Sequence, residues 1–289
     1  MFKKIVIFIL LMFVISCQKI DDSNNMIKVE TTKIKNVEKY KKIKLNSNEK
    51  LLEYGINGNY IKGKTKEYPK NGTFIPTYQI TLFNKSSIKI DLPVSEVIDI
   101  RISKSGNKIL YLNKNEQLYY YDLKKKEKIL ISNSSFPTFQ FSNDESKIAY
   151  FEGSMPSYNL FLYNIDHKSN KKITDSNFSA WSAGFSEDDN IIYFIYSPNG
   201  YPALYKYNLK DERLIEINSK IKLFPSERKP FLIFKNNLIF KNSKNEIVSV
   251  DFLGKDKKII SYGEVLQIDK GKITISKNGT ISTIKVGKK

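Results

Sequence analysis

The sequence predicts an all-β fold, a β-propeller, on three observations. Residues 141–174 alternate apolar and polar side chains in two short runs, with Ile148 and Tyr150 in the first and Phe161, Tyr163 and Ile165 in the second. Period-2 stripes of aromatic and β-branched residues suit half-buried strands. The same pattern recurs on both sides at a near-constant step. Ser103, Ser142 and Ser186 stand 39 and 44 residues apart, and Leu118, Leu160 and Leu204 stand 42 and 44 apart. Each unit has room for about four strands, and a period near 40 residues with four strands is the signature of propeller blades.

The elements follow in order. Residues 27–35, IKVETTKIK, alternate and read as a strand, and the Lys-rich residues 36–46 read as a connector. A first unit at 50–93 offers LLEYG, NYIKGK, TYQITLF and SIKIDL, with residues 64–76, which hold Pro69, Gly72 and Pro76, as a long loop. Three units follow around Ser103, Ser142 and Ser186. A fifth spans 229–261, where Ile247 lies 43 residues beyond Leu204. The last unit offers three strands, from Val265, Lys272 and Thr280, with Lys270-Gly271 and Asn278-Gly279 as turns. Propellers close their ring by pairing the two chain ends, since an open sheet edge invites aggregation. The economical reading is six blades of four antiparallel strands, with residues 27–35 completing the last blade. Rings of five or seven blades are the alternatives.

At FSNDESKIAYF (141–151), followed by LFLYNID and KKIT, the chain resembles the TolB-type, WD40-like propeller repeat. Asn143 and Glu145 replace the Pro and Gly of that repeat's turn, and the unit at Ser103 keeps only Gly106. The resemblance implies a propeller that serves as a protein-interaction platform in the bacterial envelope. It does not fix one function, since repeat folds host many.

The N-terminus is expected to be a targeting segment. Lys3 and Lys4 precede 11 unbroken apolar residues, 5–15. As a helix these span roughly 16 Å against a bilayer core of ~30 Å, which suits a signal h-region and not a span. Val14-Ile15-Ser16-Cys17 follows and resembles the bacterial lipobox, whose Cys receives diacylglycerol after cleavage before it. The expected organisation is a signal peptide at 1–16, lipidated Cys17 with a polar tether at 17–26, and one propeller domain at 27–289. Cys17 is the only cysteine, so an internal disulfide is excluded and the fold must rest on its core. The expected location is the envelope: the outer membrane of a Gram-negative cell, otherwise the outer face of the cell membrane.

The net charge is +18, and removal of Lys3 and Lys4 leaves +16. Only Arg101, Arg213 and Arg228 are arginines, the residue suited to bidentate reading of phosphates and bases, so no nucleic-acid partner is expected. An anionic glycan or wall polymer is the alternative, and lysines gathered on one face of the disc would favour it.

Catalytic chemistry is not expected. His167 is the single histidine and sits in a turn, no G-x-S-x-G elbow is present, and one His with one lipidated Cys cannot build a zinc site. No metal is assigned to Asp144-Glu145 or Glu187-Asp188-Asp189, because acids are common in turns and these lack calcium-loop spacing. No cofactor is expected. A degenerate lyase or peptidase propeller is the third reading, and a buried group of three polar side chains at the ring centre would revive it. Candidate binding residues are Tyr158 and Tyr201, in Pro-bearing loops read at 153–158 and 197–202 of successive units, and Trp181, the only tryptophan. Aromatic side chains on a rigid face anchor protein or glycan partners. The chain is expected to be a monomer that meets an envelope protein or peptide.

Overall fold

The structure is a computed structural model and describes residues 37–70, 73–154, 156–177, 179–219, 231–242, 244–269, 272–277 and 280–285. Every regular element among them is a β-strand, and the strands form six sheets. The first strand in the chain, β1 (Val37–Lys42), belongs to the last blade. Blade 1 holds β2 (Glu49–Tyr54), β3 (Tyr60–Lys70), β4 (Thr73–Phe83) and β5 (Lys89–Ile90), with β6 (Glu96–Val97) also paired to β4. Blade 2 holds β7 (Asp99–Ile102), β8 (Lys108–Leu112), β9 (Leu118–Asp122) and β10 (Glu127–Ser132). Blade 3 holds β11 (Ser135–Phe141), β12 (Lys147–Ser154), β13 (Ser157–Asn164) and β14 (Ser169–Lys172). Blade 4 holds β15 (Ala180–Phe185), β16 (Ile191–Tyr196), β17 (Ala203–Asn208) and β18 (Leu214–Asn218). Blade 5 holds β19 (Leu232–Phe234), β20 (Asn237–Lys241), β21 (Glu246–Asp251) and β22 (Lys258–Tyr262). Blade 6 is built from β23 (Glu264–Asp269), β24 (Lys272–Lys277), β25 (Thr280–Lys285) and β1. The all-β propeller of six four-stranded antiparallel blades is therefore what the repeat predicts.

The closing strand is not where the sequence places it. Val37 pairs with Ile284 and Lys42 with Thr280, so the last blade is completed by residues expected to be a connector; the expected strand at 27–35 lies outside the described residues. A register shift between Lys39 and Lys41 explains the error. The apolar Val37, Tyr40 and Ile43 stand three apart in the sequence, an interval that hides the period of two.

The loop expected at 64–76 is also a correction. β3 and β4 pair continuously from Tyr60↔Phe83 to Lys70↔Thr73. β2 reaches only Lys64 and β6 only Tyr78, so among the described residues the outer part is a two-stranded ribbon. Pro69 and Pro76 are tolerated there because proline is excluded mainly from strands with ladders on both sides.

The core lies between blades. Six clusters of buried apolar side chains each join two neighbouring sheets. Strand β16 shows how. Ile192, Phe194 and Tyr196 pack toward blade 3, whereas Tyr193 and Ile195 pack toward blade 5. Successive side chains of a strand point to opposite faces, and in a propeller both faces meet a neighbour, so the run IIYFIY is continuously apolar. Burying each of these side chains is worth about 1.5–3 kcal/mol.

The blades are also joined at their turns. In each of blades 2, 3 and 4 the turn between the first two strands begins at the repeated serine. Glu145, φ 60°, reaches back to the preceding blade, where its carboxylate accepts from the backbone N–H of Ser105 and from Ser105 Oγ at 2.9 Å. Asp189, φ 57°, does the same to Asn143 and Asp144. Both acids stand where Gly106 stands in blade 2, in the left-handed region that costs a non-glycine residue energy. At Gly106 the preceding blade fills the space itself: a Cβ there would lie 2.0 Å from Oδ1 of Asn57.

Candidate functional site

The antiparallel meander sorts the connections onto two ends. Turns between first and second strands and between third and fourth strands share one end, here called the turn end. The N–H groups of Leu123, Ile165 and Leu209 in the outer turns bond Asn107, Ser146 and Asn190 of the inner turns of the same blades. Turns between second and third strands, and the connections between blades, share the opposite end, the hairpin end.

All three aromatic candidates lie at the hairpin end of adjacent blades. The segment read as the loop 153–158 is mostly strand: Gly153 pairs with Tyr158 and Ser154 with Ser157, which leaves residues 155–156 as the connection. Gly153, φ 143°, is required there, because a Cβ would lie 2.1 Å from the carbonyl oxygen of Ser157. The hairpin is stitched to the connection leading into blade 4. Ser157 Oγ donates to the Ser176 carbonyl at 2.6 Å, and the Asn159 side-chain oxygen accepts from Thr174 Oγ1 at 3.1 Å and Ser176 N–H at 3.0 Å. Tyr158 is half-buried against Phe136, ring centres 4.6 Å apart, at the margin of the cluster between blades 3 and 4. Its placement adds a packing role to the one expected of it.

Tyr201 is different. It is 82 % exposed, the most exposed large hydrophobic side chain of the described residues, on a turn in which Gly200 N–H bonds the Ser197 carbonyl at 3.3 Å. Trp181 lies on β15 opposite Ile195 and packs at the edge of the cluster between blades 4 and 5. The structure thus brings one exposed aromatic anchor and two partly buried ones to one end of blades 3 and 4. On β17 of the same blade, Tyr205 donates its hydroxyl to Glu216 Oε2 at 2.7 Å; burial, with that carboxylate, pushes its phenol up to about 12.

A second polar group was not legible as a site. On the innermost strands of blades 1 and 2, Nη1 of Arg101 bonds Asp99 Oδ1 at 2.7 Å and the Ile100 carbonyl at 2.7 Å, and lies 3.4 Å from Glu53 Oε1. The guanidinium also sits 5.7 Å from the Phe139 ring centre of blade 3. Glu53 Oε2 accepts from Ile102 N–H at 3.3 Å. The available signal was Asp99-x-Arg101, which a strand places on one face. Of the three only Arg101 is buried, Glu53 and Asp99 being partly exposed, so the cluster falls short of the buried triad set for an enzymatic reading. Its chemistry is that of an ion-paired brace across three blades, with the guanidinium shared between both carboxylates. Among the described residues no three His, Cys, Asp or Glu side chains are grouped to hold a metal ion, and no helix is long and apolar enough to cross a membrane. His167, in the outer turn of blade 3, is exposed. Cys17 and the lipobox residues Val14, Ile15 and Ser16 lie outside the described residues.

No family model matches the chain, and no curated protein does. Among solved structures, the chain is similar to a chain of the nidogen/laminin complex, at 9 % identity and TM-score 0.50, over 72 % of this chain and 78 % of that one. It is similar to the tricorn protease at 10 % identity and TM-score 0.51, over 78 % of this chain and 28 % of that one. TolB from Acinetobacter baumannii matches at 12 % identity and TM-score 0.47, over 72 % of this chain; the matched part is 59 % of TolB, so the chain spans well under the whole of that protein. At these identities the likenesses show a fold, and the fold they show is the β-propeller.

Proposed function

We propose that this chain is a non-enzymatic, lipid-anchored envelope lipoprotein whose propeller is a platform for a protein or peptide partner. The observation that carries the reading is Tyr201, a large aromatic side chain left 82 % exposed on a tight turn of a rigid blade. A mobile side chain would lose entropy on binding; an aromatic on a fixed turn loses little and brings a large apolar area. Trp181 and Tyr158, at the same end of the same and adjacent blades, extend the platform. The anchor is Cys17, on the lipobox residues Val14, Ile15 and Ser16. The test is a photo-crosslinking residue at position 201 in cells that express the full chain. A discrete crosslinked partner that is lost on competition with the unmodified chain, and kept on competition with its Tyr201→Ala variant, supports the reading; crosslinking spread over many proteins overturns it.

A second reading, a module for an anionic glycan or wall polymer, is favoured by one observation. Exposed lysines gather in the turn end of some blades, most densely at Lys124, Lys125 and Lys126.

A further inference from the structure

Three features of the turn end coincide. The first is where the chain enters the ring. Val37 opposes Ile284, and Lys272, which follows directly on the turn end of β23 and β24, opposes Lys285. The chain therefore joins the disc at the turn end of blade 6. Under the anchor reading, residues 18–36 lead from Cys17 to that point.

The second feature is aliphatic. Ile56, Ile88 and Leu253 are 49 %, 63 % and 56 % exposed. Each is on a turn-end loop, of blades 1, 1 and 5, the blades on either side of blade 6. The inner and outer turns of blade 1 touch, since a Cβ on Gly58 would lie 2.8 Å from Cβ of Lys85. Ile56 N–H bonds the Lys104 carbonyl at 2.9 Å, so the inner turns of blades 1 and 2 form one surface.

The third is charge. Lys255 and Lys258 follow Leu253, Lys89 follows Ile88, and Lys124 to Lys126 lie one blade farther round, all exposed. On blade 4 of the same end the exposed acids Glu187, Asp188, Asp211 and Glu212 outnumber the exposed Lys210 and Arg213. The lysine side is thus the side on which the chain enters.

We infer that the turn end of blades 5, 1 and 2 rests on the anionic lipid headgroups of the membrane that holds the anchor, and that the hairpin end with Tyr201 faces away from it. Aliphatic tips flanked by lysines are what an interfacial surface needs: a short apolar insertion with cations at headgroup depth. The attraction is confined to about 8 Å at physiological salt, so the lysines act only where the disc touches the lipid. Blade 4, with its acids, tilts up and away. The inference rests on the anchor reading, and it explains the lysine excess of one sector without a soluble polymer.

The test uses the full lipidated chain in vesicles. A new cysteine is the only free thiol once Cys17 is acylated, so a fluorophore is placed at Ser86→Cys, at the turn end, or at Asn115→Cys, at the hairpin end; both positions are exposed. Quenchers are carried on lipid headgroups, in vesicles of phosphatidylcholine with or without phosphatidylglycerol. Strong quenching at 86 and little at 115, with phosphatidylglycerol present, supports the inference. Lys124→Gln, Lys125→Gln and Lys126→Gln together should shift the orientation equilibrium by on the order of a hundredfold, as each lysine near an anionic surface contributes about a factor of five. Equal quenching at both positions, or stronger quenching at 115, overturns it. So does quenching at 86 that a soluble anionic polymer abolishes at physiological salt, which points to the polymer as occupant. Flotation separates the anchor from the face. A chain that floats only with phosphatidylglycerol vesicles, with the probe at 86 quenched, refutes the anchor and supports the face; a chain that floats with neither vesicle overturns both.

Discussion

Oδ1 of Asp189 accepts two hydrogen bonds from Asn143, the backbone N–H at 2.7 Å and the side-chain amide at 2.8 Å. Its other oxygen takes the N–H of Asp144 at 2.7 Å. One carboxylate on blade 4 thus holds the turn of blade 3, and Glu145 on blade 3 holds the turn of blade 2 in the same way. Asp189→Ala should destabilise the ring by about 1–3 kcal/mol, since it leaves partly buried donors without a charged acceptor. Asp189→Gly is the sharper test. It relieves the left-handed backbone and still loses the carboxylate, so thermal unfolding should place it between the parent and the alanine variant; an alanine variant as stable as the parent would show that the clasp contributes nothing.

Asp144 should govern the acid limb of stability. Burial raises its carboxyl pKa, but hydrogen bonds from Ser142 and Ser146, with Lys147 nearby, outweigh burial and hold it at about 2. A carboxyl depressed in the folded state stabilises above its unfolded pKa of about 3.9, and loses that contribution as pH falls toward 2. Chemical shifts followed by NMR should show Asp144 titrating near 2, and Asp144→Asn should flatten stability between pH 4 and 2. A titration near 4 would contradict the network.

The fold was legible because its strongest signal is repetition. The steps between Ser103, Ser142 and Ser186 mark real blades, and the serines themselves act in the turns: Ser142 Oγ bonds Asp144 Oδ1 at 2.6 Å and Ser186 Oγ bonds Asp188 Oδ1 at 2.6 Å. The closing strand was not legible, because a register shift breaks its alternation. Nor was the burial of Tyr158. Sequence places a tyrosine two residues after a proline, but only the pairing of Gly153 with Tyr158 shows that the chain is already strand there. The Arg101 cluster needed Glu53 from another blade, a relation that no local pattern records.

Tyr158 and Tyr201 should therefore part company. Tyr158→Ala removes a ring packed on Phe136 and should cost about 2–3 kcal/mol, within the range for half-buried aromatics. Tyr201→Ala should leave the melting temperature nearly unchanged and lower partner capture by roughly thirtyfold, the effect of a hot spot worth about 2 kcal/mol. Loss of fold in Tyr201→Ala, or capture equal to the parent, would remove it from the platform.

Ring closure can be read from two starting points. A chain that begins at Val37 keeps the strand paired with β25, whereas one that begins at Ile43 lacks it. The shorter chain should unfold at lower denaturant and self-associate through the bared edge of β25, visible by light scattering. Equal midpoints for the two would show that the blade does not need its fourth strand.

The last prediction concerns the brace at the ring centre. Arg101→Met keeps the length of the side chain and removes its charge, so Glu53 and Asp99 both lose the guanidinium they share. Breaking a buried pair from one side typically costs 3–5 kcal/mol, because the remaining charge is left uncompensated. Glu53→Gln and Asp99→Asn, added to Arg101→Met, remove that charge and should recover much of the loss. The pattern separates a brace from a site. If the triple variant regains stability and the Tyr201 crosslink forms in it as in the parent, the three residues serve packing across blades 1, 2 and 3. If stability returns but the crosslink is lost, the ring centre belongs to the binding surface, and the platform extends from the hairpin end into the channel.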